Sequence, residues 1–590
     1  MRLHSIRAAA LLLPLLFALC TRVAIAQEDR YWEILTLFGG KGDDITRVQS
    51  MLYDEKRDHV IIVGGTEEAD LPVTANAMKR EFTDWMEGFI AVFNADCSEL
   101  LYCSYIGGSE NELVSEAVKL DDDRMLIALS TGSDDLPTTG TAWAAVRPGE
   151  NNFWLGVLSL ETFELLHAGY FVGSTDDRID KLLLLNDNSI MITGATASTD
   201  LPVTPGAFQS SKRGASEELD AFIAIYDSTF QLQFCSYHGG ADDSEDAHEG
   251  IAETENFLVF SGDVNSTDMP VTDNAWQKHA SGGWGDAYFV VLSKDSLRLM
   301  YSTYLAGRKR DYIHDIVSIG NDRIALVGMT SSPDFPVTAN AWQPALADDS
   351  TYLVGDVFLG IFSLDSMRFE ELTFMGGVNY DFALSLVAEV ASSEVSILLT
   401  SYSEAFPLLP PKPDEASSRG IMLTYNYELQ RPTRAIPVVD VGRVSQGQML
   451  LTESGHRYFY GRVSAGSKHP LPVRSTGHRT EHYWKTETMI GLILDAPLSV
   501  SPDTDLQPPS PTMHLFPQPA TDRLQFTIED TDEAVVTLYD VLGRALVEST
   551  FVGNGAGIHG QLDLSSVPPG IYIINVRNAQ TTFRKKVLVQ

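Results

Sequence analysis

The chain has 590 residues, too many for one hydrophobic core, because chains beyond roughly 250–300 residues divide into domains. Its 44% hydrophobic and 21% charged residues are ordinary globular composition and exclude a disordered or fibrous protein. Forty-two Lys and Arg against 80 Asp and Glu give a net charge of −38, which repels nucleic acid and anionic lipid and excludes both as partners.

Residues 1–26 read as a signal peptide. Arg2 and Arg7 form a basic start, Ala8 to Cys20 an apolar run, and Ala24-Ile25-Ala26 a small-residue cleavage site before Gln27. The thirteen-residue apolar run is shorter than the roughly 20 residues that span a bilayer. No later stretch qualifies as a transmembrane segment, so the expected product is an exported monomer that passes through the periplasm. Removing the leader leaves Cys97, Cys103 and Cys235, an odd number and no disulfide framework. Cys103 and Cys235 each precede a glycine landmark by five residues, a slot that elsewhere holds Leu35, Ala168, Ser302 and Leu372. Cysteine serves there as a compact hydrophobe.

From residue 27 to 495 the chain is a repeat. A Leu-Pro-Val-Thr-like tetrapeptide places its proline at Pro72, Pro137, Pro202, Pro270, Pro336, Pro407 and Pro472. A second mark, a glycine after an aromatic strand, falls at Gly40, Gly108, Gly173, Gly240, Gly307, Gly377 and Gly442. Both marks recur every 65–71 residues and both count seven units. Each unit reads as four strands; in the third they are Lys181–Leu185, Ser189–Thr196, Asp220–Asp227 and Leu232–Gly240. Radial repetition of such units predicts an all-β propeller of seven blades. The last unit has a second strand at Arg457–Ser464 and a third at Thr488–Asp495, then lacks a fourth. Glu33–Gly40 reads as a fourth strand with no unit before it, so the N-terminal strand is expected to close the ring and cover an open sheet edge.

Phe335–Gln343, Leu201–Gln209 and Tyr105–Gly108 carry the Phe-Pro-Val-Thr-x-x-Ala-Phe-Gln and Tyr-Leu-Gly-Gly signatures of the bacterial seven-bladed β-propeller repeat family, which Glu33 to Asp495 resembles. Phe406-Pro407-Leu408-Leu409 and Leu471-Pro472-Val473-Arg474 depart from the pattern by lacking the following aromatic. The resemblance implies the fold, and little about function.

Residues 496–512 hold Pro497, Pro502, Pro508, Pro509 and Pro511 and read as a semi-extended linker. Residues 513–590 alternate apolar and polar positions in short strands, Arg523–Ile528, Ala534–Tyr539, Gly570–Val576 and Thr582–Val589, as in a small Ig-like β-sandwich. Phe516-Pro517-Gln518-Pro519-Ala520, Leu538–Arg544, Leu562-Asp563-Leu564-Ser565, Gly570-Ile571-Tyr572 and Arg584-Lys585-Lys586-Val587 resemble the C-terminal sorting domain of type IX secretion substrates, with Gln518 at the family's usual Asn. That resemblance implies delivery by the type IX machinery to the outer cell surface or the medium.

Several residues invite a functional reading. The aromatics six positions after the prolines, Trp143, Phe208, Trp276 and Trp342, with Met78 in the first unit, suit bracing better than sugar stacking, since one recurs per unit at a fixed offset. Asp43-Asp44, Asp176-Asp177 and Asp242-Asp243 would suit calcium, but no Asp-x-Asp-x-Asp-Gly loop surrounds them. No other cofactor is implied. Residues 456–485 carry six Lys/Arg against Glu481 alone, four histidines and interleaved aromatics, inside a strongly acidic body. Its candidate binding residues, Arg474, His478, Arg479, His482 and Trp484, would attract an acidic glycan or protein ligand, against the plainer reading of a closing unit that neutralises its neighbours. Nucleophile-elbow, zincin and phosphate-loop motifs are missing. The expected function is a non-catalytic extracellular binding or scaffold propeller; the alternative is a secreted carbohydrate-active enzyme, hydrolase or lyase, with its site at the channel mouth.

Overall fold

The computed structural model describes residues 32–589 except 40–44, 140–142, 145–146, 150–151, 216–217, 242–246, 348–354, 404–405, 410–417, 440–443, 465–485, 494–512, 517–522, 529–532, 540–544, 553–557, 568–569, 578–581 and the single positions 84, 148, 172, 284, 454 and 566. Two compact units divide the chain, residues 1–498 and 499–590. The signal peptide and the linker read from the sequence lie outside the described residues.

Among the described residues the first unit is seven four-stranded antiparallel sheets and one short 3-10 turn. Sheets one to seven begin at the strands Thr46–Asp54, Glu112–Lys119, Asp177–Leu184, Ala247–Glu253, Asp311–Ser318, Asp381–Glu389 and Val444–Leu451. The first six each use four consecutive strands. The seventh uses three, Val444–Leu451, Arg457–Ser464 and Thr486–Ile493, and takes Trp32–Phe38 as its fourth, paired antiparallel with Thr486–Ile493. First strands of neighbouring sheets pack against each other from sheet one to sheet seven, and the first strand of sheet seven packs against that of sheet one. The sheets therefore close into a ring of β-propeller type with the first strands around its axis.

The two sequence landmarks of the repeat are hydrogen-bonded to each other. The aromatic three residues before the glycine landmark is a tyrosine in sheets one to four, and its hydroxyl clamps the loop that carries the Leu-Pro motif. Tyr105 Oη donates to the Glu68 carbonyl at 2.8 Å and accepts from Leu71 N at 3.2 Å. Tyr170 does the same with Ser133 and Leu136, Tyr237 with Ser198 and Leu201, and Tyr304 with Ser266 and Met269. The motif threonine then bonds the cysteine slot of the fourth strand, Thr74 N to the Cys103 carbonyl and Thr204 N to the Cys235 carbonyl. Both cysteines are buried and free, as that slot requires. In sheet five Phe374 has no hydroxyl, and it packs instead on Phe335 at 6.0 Å between ring centres.

A buried carboxylate opens several first strands and ties down the glycine turn before it. Gly108 N donates to Glu112 at 2.9 Å, Gly307 N to Asp311 at 2.8 Å and Gly377 N to Asp381 at 2.8 Å. Burial raises these acids: Asp311 and Asp381 are pushed up to about 7, and Asp177, the equivalent residue of sheet three, to about 6. Their folded values lie above the unfolded value near 4, so the folded state holds extra protons in between. The associated stability is complete below about pH 4 and is lost as pH rises through about 7, on the order of 3–4 kcal/mol for each of Asp311 and Asp381. The melting temperature of the propeller should therefore fall between pH 5 and pH 8, and fall less in Asp311→Asn/Asp381→Asn. An unchanged slope in that variant would assign the pH dependence to other groups.

The second unit contains two antiparallel sheets among the described residues. One holds Met513–Phe516, Arg523–Ile528 and Ile558–Asp563; the other holds Ala545–Val552, Glu533–Tyr539, Gly570–Arg577 and Thr582–Val589. Leu524, Val536, Leu538, Ile558 and Leu562 are buried. The sequence pattern locates four of these strands and misses three. In Ile558–Asp563, Gly560 occupies the place between Ile558 and Leu562 on one face and breaks the apolar alternation; in Ala545–Val552, Ser549 does so between Val547 and Phe551.

Candidate binding site at the ring axis

Every first strand bulges once against its second strand, at Val48/Ser50, Val114/Glu116, Ile179/Lys181, His248/Gly250, Ile313/Asp315, Ala383/Ser385 and Val444/Gly447. In sheets one, three and five a glycine of the second strand lies against the bulge. A Cβ at Gly64, Gly194 or Gly328 would lie 1.8–1.9 Å from the carbonyl oxygen of Arg47, Arg178 or Tyr312, so at these three positions the two backbones approach too closely for a side chain. A bulge leaves one residue of the strand unpaired and re-aims its side chain. In sheets one to six those residues are Gln49, Ser115, Asp180, Glu249, His314 and Leu384, a column of unlike side chains on the innermost strands.

Sheets two to five put opposite charges together in and beside this column. His314 Nδ1 lies 2.8 Å from Glu249 Oε2, Lys181 Nζ lies 3.5 Å from Glu116 Oε2, and Arg178 Nε donates to Asp180 Oδ1 at 2.6 Å. Asp315 accepts from Leu386 N at 2.8 Å, across to sheet six. The side chains of Lys181, Glu249 and His314 keep 37, 38 and 28% of their surface accessible although they stand on the innermost strands. Water therefore reaches these side chains.

The electrostatics follow from this crowding. Burial lowers the His314 imidazolium, but its bond to Glu249 and that carboxylate's charge outweigh burial and raise it. Burial likewise works against charge on Lys181, and Glu116, Asp315 and Glu249 more than restore it. Glu249 is held low by His314 against its own burial. Asp263, half-buried on the second strand of sheet four, is pushed up to about 7 by burial and by Glu249, with Arg310, His314 and Arg178 opposing. With His314 neutral, Nδ1–H faces Glu249 and Nε2 is left as an acceptor, a pairing that suits proton transfer as well as binding.

Arg474, His478, Arg479, His482 and Trp484 lie outside the described residues. The described part of the same basic stretch is occupied in holding the ring together. Arg457 is buried against Glu389, Tyr458 Oη donates to the Ala95 carbonyl at 3.0 Å, and Tyr460 Oη donates to the Gln49 carbonyl at 2.6 Å. Of the aromatics after the prolines, Trp143 is buried, whereas Trp276 is 42% exposed with one edge against Phe369 at 5.3 Å. Asp177 is bonded by Thr196 at 2.5 Å, while Asp43-Asp44 and Asp242-Asp243 lie outside the described residues. Among the described residues no three or more His, Cys, Asp or Glu side chains are grouped to hold a metal ion.

Residues 514–590 match the family of the secretion system C-terminal sorting domain. The C-terminal unit is a type IX secretion sorting domain. The protein is thus exported by type IX secretion to the cell surface or the extracellular space, and its sorting domain is the part handled by the secretion machinery. Among the described residues no helix is long and apolar enough to cross a membrane. No curated protein matches the chain. Solved structures resemble it distantly. Chaetomium thermophilum Raptor is 8% identical with a TM-score of 0.40, over 80% of this chain and 29% of that one. Synechocystis apocarotenoid oxygenase is 9% identical with a TM-score of 0.33, over 80% of this chain and 95% of that one. The β-propeller domain of the trilobed protease from Pyrococcus furiosus is 10% identical with a TM-score of 0.33, over 79% of this chain and 99% of that one. The β-propeller-like fold of the exported part rests on its own ring topology.

Proposed function

We propose that the sorting domain delivers a non-catalytic recognition propeller, which binds a glycan or protein partner outside the cell through the axial cluster of sheets three to five. The observation that carries this reading is the water-accessible group of Lys181, Glu249 and His314 on the innermost strands. A rigid ring holds these side chains in place, and unlike charges at fixed separation recognise a polar ligand by complementarity. A second reading, a carbohydrate-active enzyme, is favoured by the His314–Glu249 pair, the arrangement of a general base and its orienting carboxylate. The basic stretch around Arg474, His478, Arg479, His482 and Trp484 belongs to this proposal as the competing location.

A glycan and protein array probed with three forms of the secreted chain separates the readings. Wild-type and Arg474→Ala/Arg479→Ala protein should bind the same ligand saturably, and Glu249→Gln/His314→Ala should not. Loss in the arginine variant alone would move the site to residues 465–485. Turnover of the bound glycan, abolished in Glu249→Gln/His314→Ala, would replace recognition by catalysis.

A further inference from the structure

Above the His314–Glu249 pair stands a set of polar groups whose bonding capacity the protein does not fill. Tyr312 is 8% exposed, and its buried hydroxyl has no hydrogen-bond partner. Buried hydroxyls are nearly always bonded, and leaving one unpaired costs on the order of 1–3 kcal/mol. The Arg310 guanidinium lies over the Tyr312 ring, 4.3 Å from its centre, and the His314 ring stacks beyond it at 6.0 Å. Arg310 is exposed and forms no ion pair among the described residues. The Asp263 carboxyl feels Glu249, Arg310, His314 and Arg178 through charge alone and has no hydrogen bond among the described residues.

A glycine stands against two of these groups. Gly285 has φ +81°, a conformation that side chains rarely adopt. The point where its Cβ would stand is 3.5 Å from Tyr312 Cε1 and 3.7 Å from Asp263 Oδ2. A backbone position that disfavours side chains thus faces a tyrosine ring and a carboxyl, with a guanidinium over the tyrosine.

We propose that Arg310, Asp263 and Tyr312 form a subsite for a small carboxylate that carries hydrogen-bond donors beside it, as a sugar acid or an amino acid does. The inference rests on the axial recognition site proposed above and names its ligand chemistry. Arg310 takes the carboxylate, for which a guanidinium offers paired donors in a matching plane. Asp263 takes the neighbouring hydroxyl or ammonium groups, and the Tyr312 hydroxyl gains the partner it lacks. His314 Nε2 accepts a further donor at the floor of the site. The strong net negative charge of the chain disfavours a polyanion and favours a ligand with a single carboxylate.

The two sources are told apart by titrating the full-length secreted protein with galacturonate against galactose, and with serine against ethanolamine. Each pair differs in the carboxylate. One of the two acids should bind, and its counterpart without the carboxylate should bind about ten- to a hundred-fold more weakly, the range for hydrogen bonds to a charged group. Arg310→Met should abolish that preference. Tyr312→Phe should weaken the acid without lowering the melting temperature, because the hydroxyl it removes has no partner in the fold. Equal binding within both pairs, an unaltered preference in Arg310→Met, or binding of neither acid would overturn the subsite. If some other ligand still binds wild type and is lost in Glu249→Gln/His314→Ala, the axial recognition site survives and only the carboxylate assignment falls.

Discussion

Removing residues 499–590 should abolish appearance of the protein at the cell surface and in the medium, leaving a folded propeller inside the outer membrane. The boundary follows the division into two compact units, so the cut separates the sorting domain without opening a propeller sheet. The effect should be all or none, because the removed segment contains the whole match to the sorting-domain family, residues 514–590. Fractionation with an antibody against the propeller is the measurement. The truncated chain should collect in the periplasm, where the leader read at residues 1–26 would deliver it, and should resist protease as well as the full chain does. Normal levels in the medium would show that export does not depend on this domain. The reciprocal fusion, residues 499–590 on a periplasmic reporter, should carry the reporter out.

The ring was legible because its two landmarks bond to each other in the fold. Tyr105, Tyr170, Tyr237 and Tyr304 clamp the loops that begin at Leu71, Leu136, Leu201 and Met269, so both marks recur with one period. Selection for a shared hydrogen bond leaves a shared pattern, and a repeat reading detects what the units have in common. The first strands were read less well. In sheet three the strand starts at Asp177, four residues before the predicted Lys181, since Arg178 and Asp180 interrupt its apolar pattern. Asp180 belongs to the column that carries the proposed site. Gln49, Ser115, Asp180, Glu249, His314 and Leu384 occupy one column in which the units differ, and aligning units for their likeness passes over it. Aligning them for their differences would have singled out Glu249 and His314 at one position of the bulge, though not that they meet across two sheets. The basic stretch of sheet seven drew notice through composition, a weaker signal, since composition does not distinguish Arg457, buried against Glu389, from a surface cation.

Deleting Trp32–Phe38 should cost the propeller its cooperative fold. This strand supplies all seven residues of one edge of sheet seven and pairs along Thr486–Ile493, from Trp32 opposite Ile493 to Phe38 opposite Thr488. It also joins two cores. Leu37 is buried with Met449, Phe459 and Met489 within the closing sheet and with Met422 and Ile436 of sheet six. Phe38 is buried against Phe89 and Phe93 of sheet one, with ring centres 5.2 and 5.9 Å away. Without the strand, Thr486–Ile493 becomes an open edge, the junction of sheets seven and one loses its aromatic filling, and the exposed edge invites pairing between chains. Phe38→Ala isolates the packing contribution and should cost about 3–5 kcal/mol, the usual range for a buried phenylalanine, while leaving the strand paired. The full deletion should go further, to a broad, low-amplitude melt with soluble aggregates by size exclusion. Adding a peptide of residues 27–40 to the deleted chain should restore a sharp transition, since the missing piece is a strand with a vacant partner. A deleted chain that melted as sharply as the intact one would mean that the ring is held by its six self-contained sheets and that the N-terminal strand merely decorates the seventh.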